Sequence, residues 1–445
     1  MSVHAILFAV VVFLVLNDRL YLRFETGGRG ILRVMDIGVP AIAILLIMFS
    51  GKSFGRRMLT SRRLKYWLPY LGLAMLLPVL GILSGTYPAR TLLTSIVPIR
   101  ALALVAIGAW LGQQPPRVWV LAERWIVVCI AVETFFSICQ FITLQGIFDF
   151  PFLRWLYEWD AQTMTAYKDA YWVTGRSAGT FLGGNILGPW AVFGVWFSVT
   201  VFRGIPRIAC TAASLLVLVL SQSRGSIAAL LVGALFALAG LPVRKWRAWA
   251  ALVAGIVLGS CLGFVVQSTK GTFQNETMRS RFTSSLAVLL EGPTADPNVA
   301  GRMAAWGDAM SFFAQHPLGT WGEPQALLQH FTDSQYVDAL LQGSLPFAMA
   351  FLLALFGGIR PDRPPTGVSS FLTLSTVSIA VNSVSAHVLA YSSIGMYWLV
   401  LGYSSTARGA QRSVALARRP QILAVDYRKN RTGNMPLGRA VRTCS

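Results

Sequence analysis

Three arginines stand where side-chain type and setting could do chemistry. Arg176 lies in Gly175-Arg176-Ser177-Ala178-Gly179-Thr180-Phe181, Arg224 in Ser221-Gln222-Ser223-Arg224-Gly225, and Arg302 in Gly301-Arg302-Met303-Ala304-Ala305-Trp306. A guanidinium is planar, permanently charged and meets a phosphate with two parallel N–H donors. Three of them converging on one cavity would hold a diphosphate without any metal. Boundary arginines also snorkel to lipid headgroups, but each of these is set among Gly and Ser rather than the Trp and Tyr of an anchoring belt. Asp333, at a loop-to-helix junction, reads equally as a helix N-cap or as a general base. His330, one turn earlier, reads as a base or as a surface hydrogen-bonding group. His316 before Pro317 reads as a turn former, and His387, near the outer end of an apolar run, carries no assignable role. Glu133 and Arg100 are charges inside apolar runs, functional by default, with a structural ion pair between them the favoured reading. Asp338, one turn beyond Ser334, either lines the same cavity as Asp333 or caps a hydrogen-bond network.

The elements that must position these residues are membrane helices. The chain has 445 residues, 55% apolar and only 13% charged, where a soluble domain carries roughly 25% charged residues; a soluble globular enzyme is excluded. A span needs about 20 apolar residues, so twelve spans take roughly 240 positions, close to the apolar content. Apolar runs predict spans over 2–17, 34–50, 66–84, 94–112, 125–146, 178–202, 205–221, 225–242, 248–267, 335–358, 368–389 and 391–405. The first run has no positive flank or small-residue cleavage site before Asn17-Asp18 and reads as a retained span. The five cysteines show no metal or disulfide spacing.

The net charge of +20 has a topological explanation. With the N-terminus inside, the inner loops and the tail hold 24 basic residues against three acidic ones, leaving 14 against 15 elsewhere. Lys and Arg collect on the cytoplasmic side, so the charge is an orientation signal and nucleic acid is not an expected partner. Arg19, Arg23, Arg29 and Arg33 run against this trend. Two outer segments, 147–175 and 268–332, are too long to be mere connectors. The first is aromatic and acidic (Trp155, Tyr157, Trp159, Tyr167, Tyr171 and Trp172), which suits sugar stacking as well as an interfacial belt. The second contains an amphipathic helix over 303–315.

These residues resemble the O-antigen ligase and polymerase family of bacterial envelope enzymes. The likeness consists of Arg176-x-x-Gly179-Thr180-Phe181 followed by Asn185-Ile186-Leu187-Gly188, the Ser223-Arg224-Gly225 turn, Gly301-Arg302…Trp306, His316-Pro317-Leu318-Gly319, and Asp333-Ser334-Gln335-Tyr336 leading to Gly343. It covers about 176–358. The resemblance implies an all-α polytopic membrane protein of about twelve transmembrane helices, similar to lipid-donor (GT-C-like) glycosyltransferases, with a large periplasmic loop between helices 9 and 10. Residues 1–405 would form the transmembrane domain and 406–445 a basic, disordered cytoplasmic tail. It implies inverting glycosyl transfer from an undecaprenyl-pyrophosphate-linked glycan at the periplasmic face of the inner membrane. Arg176, Arg224 and Arg302 would hold the pyrophosphate and Asp333 or His330 would act as base, with no metal and no cofactor. Arg279, Arg281, Asp338, Tyr336, Arg100 and Glu133 are weaker site candidates. Acceptor glycan, membrane lipid and a chain-length co-polymerase are the further partners. Ligase members carry His followed by Asn or Ser where this chain has Asp333-Ser334, which favours a polymerase of lipid-linked repeat units over an O-antigen ligase acting on lipid A-core or protein. A flippase would spread charges through the bilayer core and show broken repeat helices; the gathering of arginines beside one outer loop favours chemistry.

Overall fold

A computed structural model describes residues 3–16, 21–23, 31–50, 61–88, 92, 95–144, 147–153, 176–181, 183–240, 290–292, 295–322, 324–328, 332–359 and 366–407. The ninth expected span, the aromatic cluster of 155–172, Arg279, Arg281, His330 and the basic tail beyond 407 lie outside these residues.

Apolar runs fold as helices because a backbone removed from water must satisfy its own polar groups. The helices are α1 (Val3–Leu16), α2 (Val34–Ser50), α3 (Leu64–Leu83), α4 (Ile96–Gln113), α5 (Pro116–Leu144), α6 (Gly184–Thr200), α7 (Ile205–Ser221) and α8 (Arg224–Gly240). They continue as α9 (Pro297–Gln315), the short α10 (Gln325–Leu328), α11 (Gln335–Ile359), α12 (Gly367–Asn382) and α13 (395–407). The strands β1 (Tyr21–Arg23) and β2 (Ile31–Arg33) form a small antiparallel hairpin ahead of α2. Helices α3, α4, α5 and α11 are long and apolar enough to cross a membrane, and α1, α2, α7, α8 and α12 are shorter apolar helices. This is a multi-pass membrane protein.

Three boundaries differ from expectation. Helix α5 begins at Pro116 rather than 125, because Arg117, Glu123 and Arg124 extend a helix as readily as they end an apolar run; its 29 residues reach about 43 Å at 1.5 Å per residue. Helix α12 stops at Asn382, and Ser383–Ala390 continues as turns and a 3-10 segment. Helix α6 starts only at Gly184; the expected span began at 178, but residues 176–181 and 183 are non-helical loop residues, with Ser177, Ala178, Thr180 and Phe181 fully buried.

That loop is held by α5. Gln140 accepts from the amides of Ala178 (2.8 Å) and Gly179 (3.0 Å) and donates to the Gly179 carbonyl (2.7 Å). Ser177 Oγ donates to the Ser137 carbonyl at 2.9 Å. Both carboxylate oxygens of the buried Glu133 accept from Thr180, Oε2 from the amide at 3.0 Å and Oε1 from the hydroxyl. The ion pair expected between Glu133 and Arg100 is not formed; Glu133 instead holds Thr180 of the loop. Arg100 makes its salt bridge with Asp36 (3.1 Å) and donates to the Ala390 carbonyl (3.2 Å). Gly179 has φ +59° and a Cβ there would stand 2.3 Å from Glu133 Oε2, so only glycine fits.

Helix α11 is broken at Gly343 and Ser344, the latter at φ +57°. Pro346 has no N–H for the Gln342 carbonyl; the backbone N–H of Trp321 supplies it at 2.8 Å, and Thr320 donates to the Leu341 carbonyl at 2.7 Å. The loop containing His316-Pro317-Leu318-Gly319 therefore docks on the break, with Ser344 Oγ donating to the Pro317 carbonyl at 2.6 Å. His316 lies exposed in that turn, stacked on Phe312, in agreement with a turn-forming role. Helices α4 and α13 cross closely, since a Cβ on Gly108 or Gly402 would meet the opposing backbone carbonyl at 1.9 or 2.0 Å.

Candidate functional site

Helix directions bring one set of ends together. The C-termini of α7 and α12 and the N-termini of α6, α8 and α11 meet near α9. There Arg176, Arg224 and Arg302, contributed by the buried loop, by the first residue of α8 and by α9, line one cavity of about 150 Å³ with Asn185, Gln222, Ser223, Gly225, Asn382 and Ser385. The arginines singled out in the sequence, up to 126 positions apart, are neighbours in space.

Each is oriented by a neighbour. Arg176 Nε donates to the Ser221 carbonyl at 2.9 Å and Nη2 to Asn185 Oδ1 at 2.6 Å. Arg224 Nη1 bridges to Asp296 Oδ2 at 2.5 Å, and Asp296 is buried. Asp296 also starts α9, accepting from the Val299 amide on Oδ1 at 3.3 Å, so one carboxylate fixes both the outer helix and the arginine. Arg302 Nε bridges to Asp333 Oδ2 at 3.3 Å, with Asp333 about half exposed. These three arginines and two carboxylates leave a net charge of +1. The first turns of α6 and α8 add positive partial charge at the cavity wall. Behind them, Ser223 donates to Ser226 (2.9 Å) and Ser226 to Asn382 Oδ1 (3.1 Å), fixing the floor.

Asp333 is not the helix cap: it has φ +52° and α11 begins at Gln335, which leaves its carboxylate to Arg302. Asp338 does not line the arginine cavity. It lines a second one, where it accepts from Thr332 Oγ1 and from His387 Nδ1 (2.8 Å). Tyr336 donates to the Ala380 carbonyl at 2.9 Å and packs on Phe351, tying α11 to α12. Arg100 lines a separate cavity with Tyr391, and Tyr391 lies within electrostatic range of Asp333, Arg302 and Arg176.

Sequence reasoning missed Asp296, Asn382, Ser385, Tyr391 and the pairing of His387. The Asp296-Pro297 dipeptide carries a readable N-cap and first-turn proline signal, although nothing in it points to Arg224. Asn382 to Tyr391 are hidden because they fall within the expected spans 368–389 and 391–405 and the turn between them.

Residues 209–344 match the O-antigen ligase family model. This segment is similar to that family. That family acts on lipid-linked glycans in membranes as ligases and polymerases, and the match does not separate the two. The matched segment runs from within α7 to the break in α11 and contains Arg224, Asp296, Arg302, Asp333 and Asp338. Arg176, Asn185, Asn382 and Ser385 complete the cavity from outside the matched segment. No curated protein matches the chain.

Proposed function

We propose that this protein is a polymerase of lipid-linked polysaccharide repeat units, transferring glycan from an undecaprenyl-pyrophosphate donor with inversion at the anomeric carbon. The observation that carries the reading is the meeting of Arg176, Arg224 and Arg302 on one polar cavity. A diphosphate held by three guanidinium groups is a good leaving group, and charge stabilisation with positioning supplies much of the rate. The acceptor hydroxyl forms the new C–O bond as the bond to phosphate breaks, and the diphosphate departs with the electron pair. The hydroxyl proton passes to Asp333, beside Arg302, or to His330. An acidic residue at 333 favours polymerisation over ligation to lipid A-core or protein.

Arg63, Arg117, Arg124, Arg203 and Arg207 lie at or near the helix ends opposite the arginine cavity. The positive-inside rule then supports a periplasmic cavity and cytoplasmic termini, with about twelve spans in the inner membrane. Deletion cells should accumulate single-repeat glycan, and R224A and R302A should fail to restore long chains while remaining in the membrane. Normal chain lengths from both variants would sink the diphosphate site, and loss of surface attachment with intact lipid-linked polymer would reassign the protein as a ligase.

A further inference from the structure

One residue beyond the arginine cavity lies another built to hold polar atoms. It measures about 150 Å³ and includes Tyr70, Gln335, Asp338, Gln342, His387 and Trp398 in its lining. Ser385 and Ala386 line the arginine cavity and His387 lines this one; with successive Cα atoms about 3.8 Å apart, the two share a thin wall.

The polar groups here are expensive to bury and are carefully held. Asp338 is 6% exposed, and its two oxygens accept from different elements, Oδ1 from Thr332 and Oδ2 from His387. A carboxylate on Nδ1 fixes the imidazole tautomer and gives Nε2 acceptor character. Gln335 donates to the Tyr70 hydroxyl at 3.4 Å, and the Tyr70 ring stacks on Phe347. A carboxylate, an imidazole, two amides and a phenol surrounded by Tyr and Trp rings match a ligand with an apolar ring face edged by hydroxyls. A phosphate would meet the Asp338 carboxylate, and an alkyl chain would strand the polar groups.

We propose that this cavity is a carbohydrate subsite for a sugar ring of the acceptor glycan. Asp338 and His387 bind ring hydroxyls, the aromatic wall covers the ring face, and the hydroxyl to be glycosylated is directed to the arginine cavity. The assignment rests on the glycosyl-transfer reading and adds to it where the acceptor is recognised.

The test uses full-length protein in nanodiscs with two probes: oligosaccharide released by mild acid from the producing cells' own lipid-linked repeat, read by saturation-transfer NMR, and undecaprenyl pyrophosphate. H387Q and D338N should weaken oligosaccharide binding by roughly tenfold or more. A74L, which fills the cavity without removing a polar group, should do the same. All three should bind undecaprenyl pyrophosphate within about twofold of wild type. Unchanged oligosaccharide binding by H387Q and A74L would overturn the subsite. Unchanged lipid binding and polymer formation by R224A would overturn the glycosyl-transfer reading instead.

Discussion

Asp333 adopts a left-handed backbone conformation that costs a non-glycine residue of order 1–3 kcal/mol, and its carboxylate reaches Arg302 at 3.3 Å. Asp tolerates that conformation better than most residues, and the result is a half-exposed carboxylate at the rim of the arginine cavity. If Asp333 takes the acceptor proton, D333N should lower turnover by about 10²–10⁴-fold while H330A leaves it intact; the reverse outcome transfers the role to His330. R302K should also lose most activity, since an ammonium cannot reproduce a two-pronged phosphate contact. The arginines were legible because Gly and Ser surround them where an anchor would have aromatics. Asp296 was not, because its partner is 72 positions away and only the fold joins them. Arg100 was misread as the partner of Glu133 for a related reason: the described groups that Glu133 accepts from are the amide and hydroxyl of Thr180, which leave no charge pattern to follow.

The buried loop ahead of α6 is positioned by two side chains of α5, seven residues apart and so on one helix face. Gln140 alone satisfies two amides and a carbonyl. Q140L leaves those groups unpaired away from water, at about 1–3 kcal/mol each. It should sharply lower the thermal stability of the detergent-solubilised protein, and with it diphosphate-lipid binding through Arg176. Stability equal to wild type would show that the loop is held by something else. Sequence periodicity could not find this loop, because Ala178 and Phe181 extend the apolar run of the helix it precedes. The run 335–358 reads as one continuous span, and the break at Gly343 and Ser344 became visible only in the fold, where the backbone of Thr320-Trp321 docks on it.

At the scale of the whole molecule, among the described residues, polar side chains gather at one end of the helices and basic residues such as Arg63, Arg117, Arg203 and Arg207 lie at the other. Twelve expected spans include eleven that coincide with described helices and one that lies outside the described residues; alternation of apolar runs and charges carried that much because the bilayer imposes it. Reporter fusions should give periplasmic activity at 318 and cytoplasmic activity at 407, and the opposite pattern would invert the proposed topology. If guanidinium groups supply the charge at the diphosphate, as proposed, polymerisation by purified protein should persist after treatment with a chelator; recovery of activity only on adding a divalent ion would overturn this. G402L pushes a side chain into the Val105 carbonyl and should lower stability by roughly 1–3 kcal/mol, measured by thermal unfolding.

The two carboxylates beside the arginines carry a consequence for selectivity. Asp296 and Asp333 already neutralise Arg224 and Arg302, so an entering anion must compete with a resident counter-ion at each. A singly charged phosphate ester gains little from that exchange, whereas a diphosphate can satisfy several guanidinium groups at once. Ambient phosphate and anionic headgroups, abundant at any membrane surface, would therefore be poor inhibitors of a site whose charge is kept in check until a doubly phosphorylated lipid arrives.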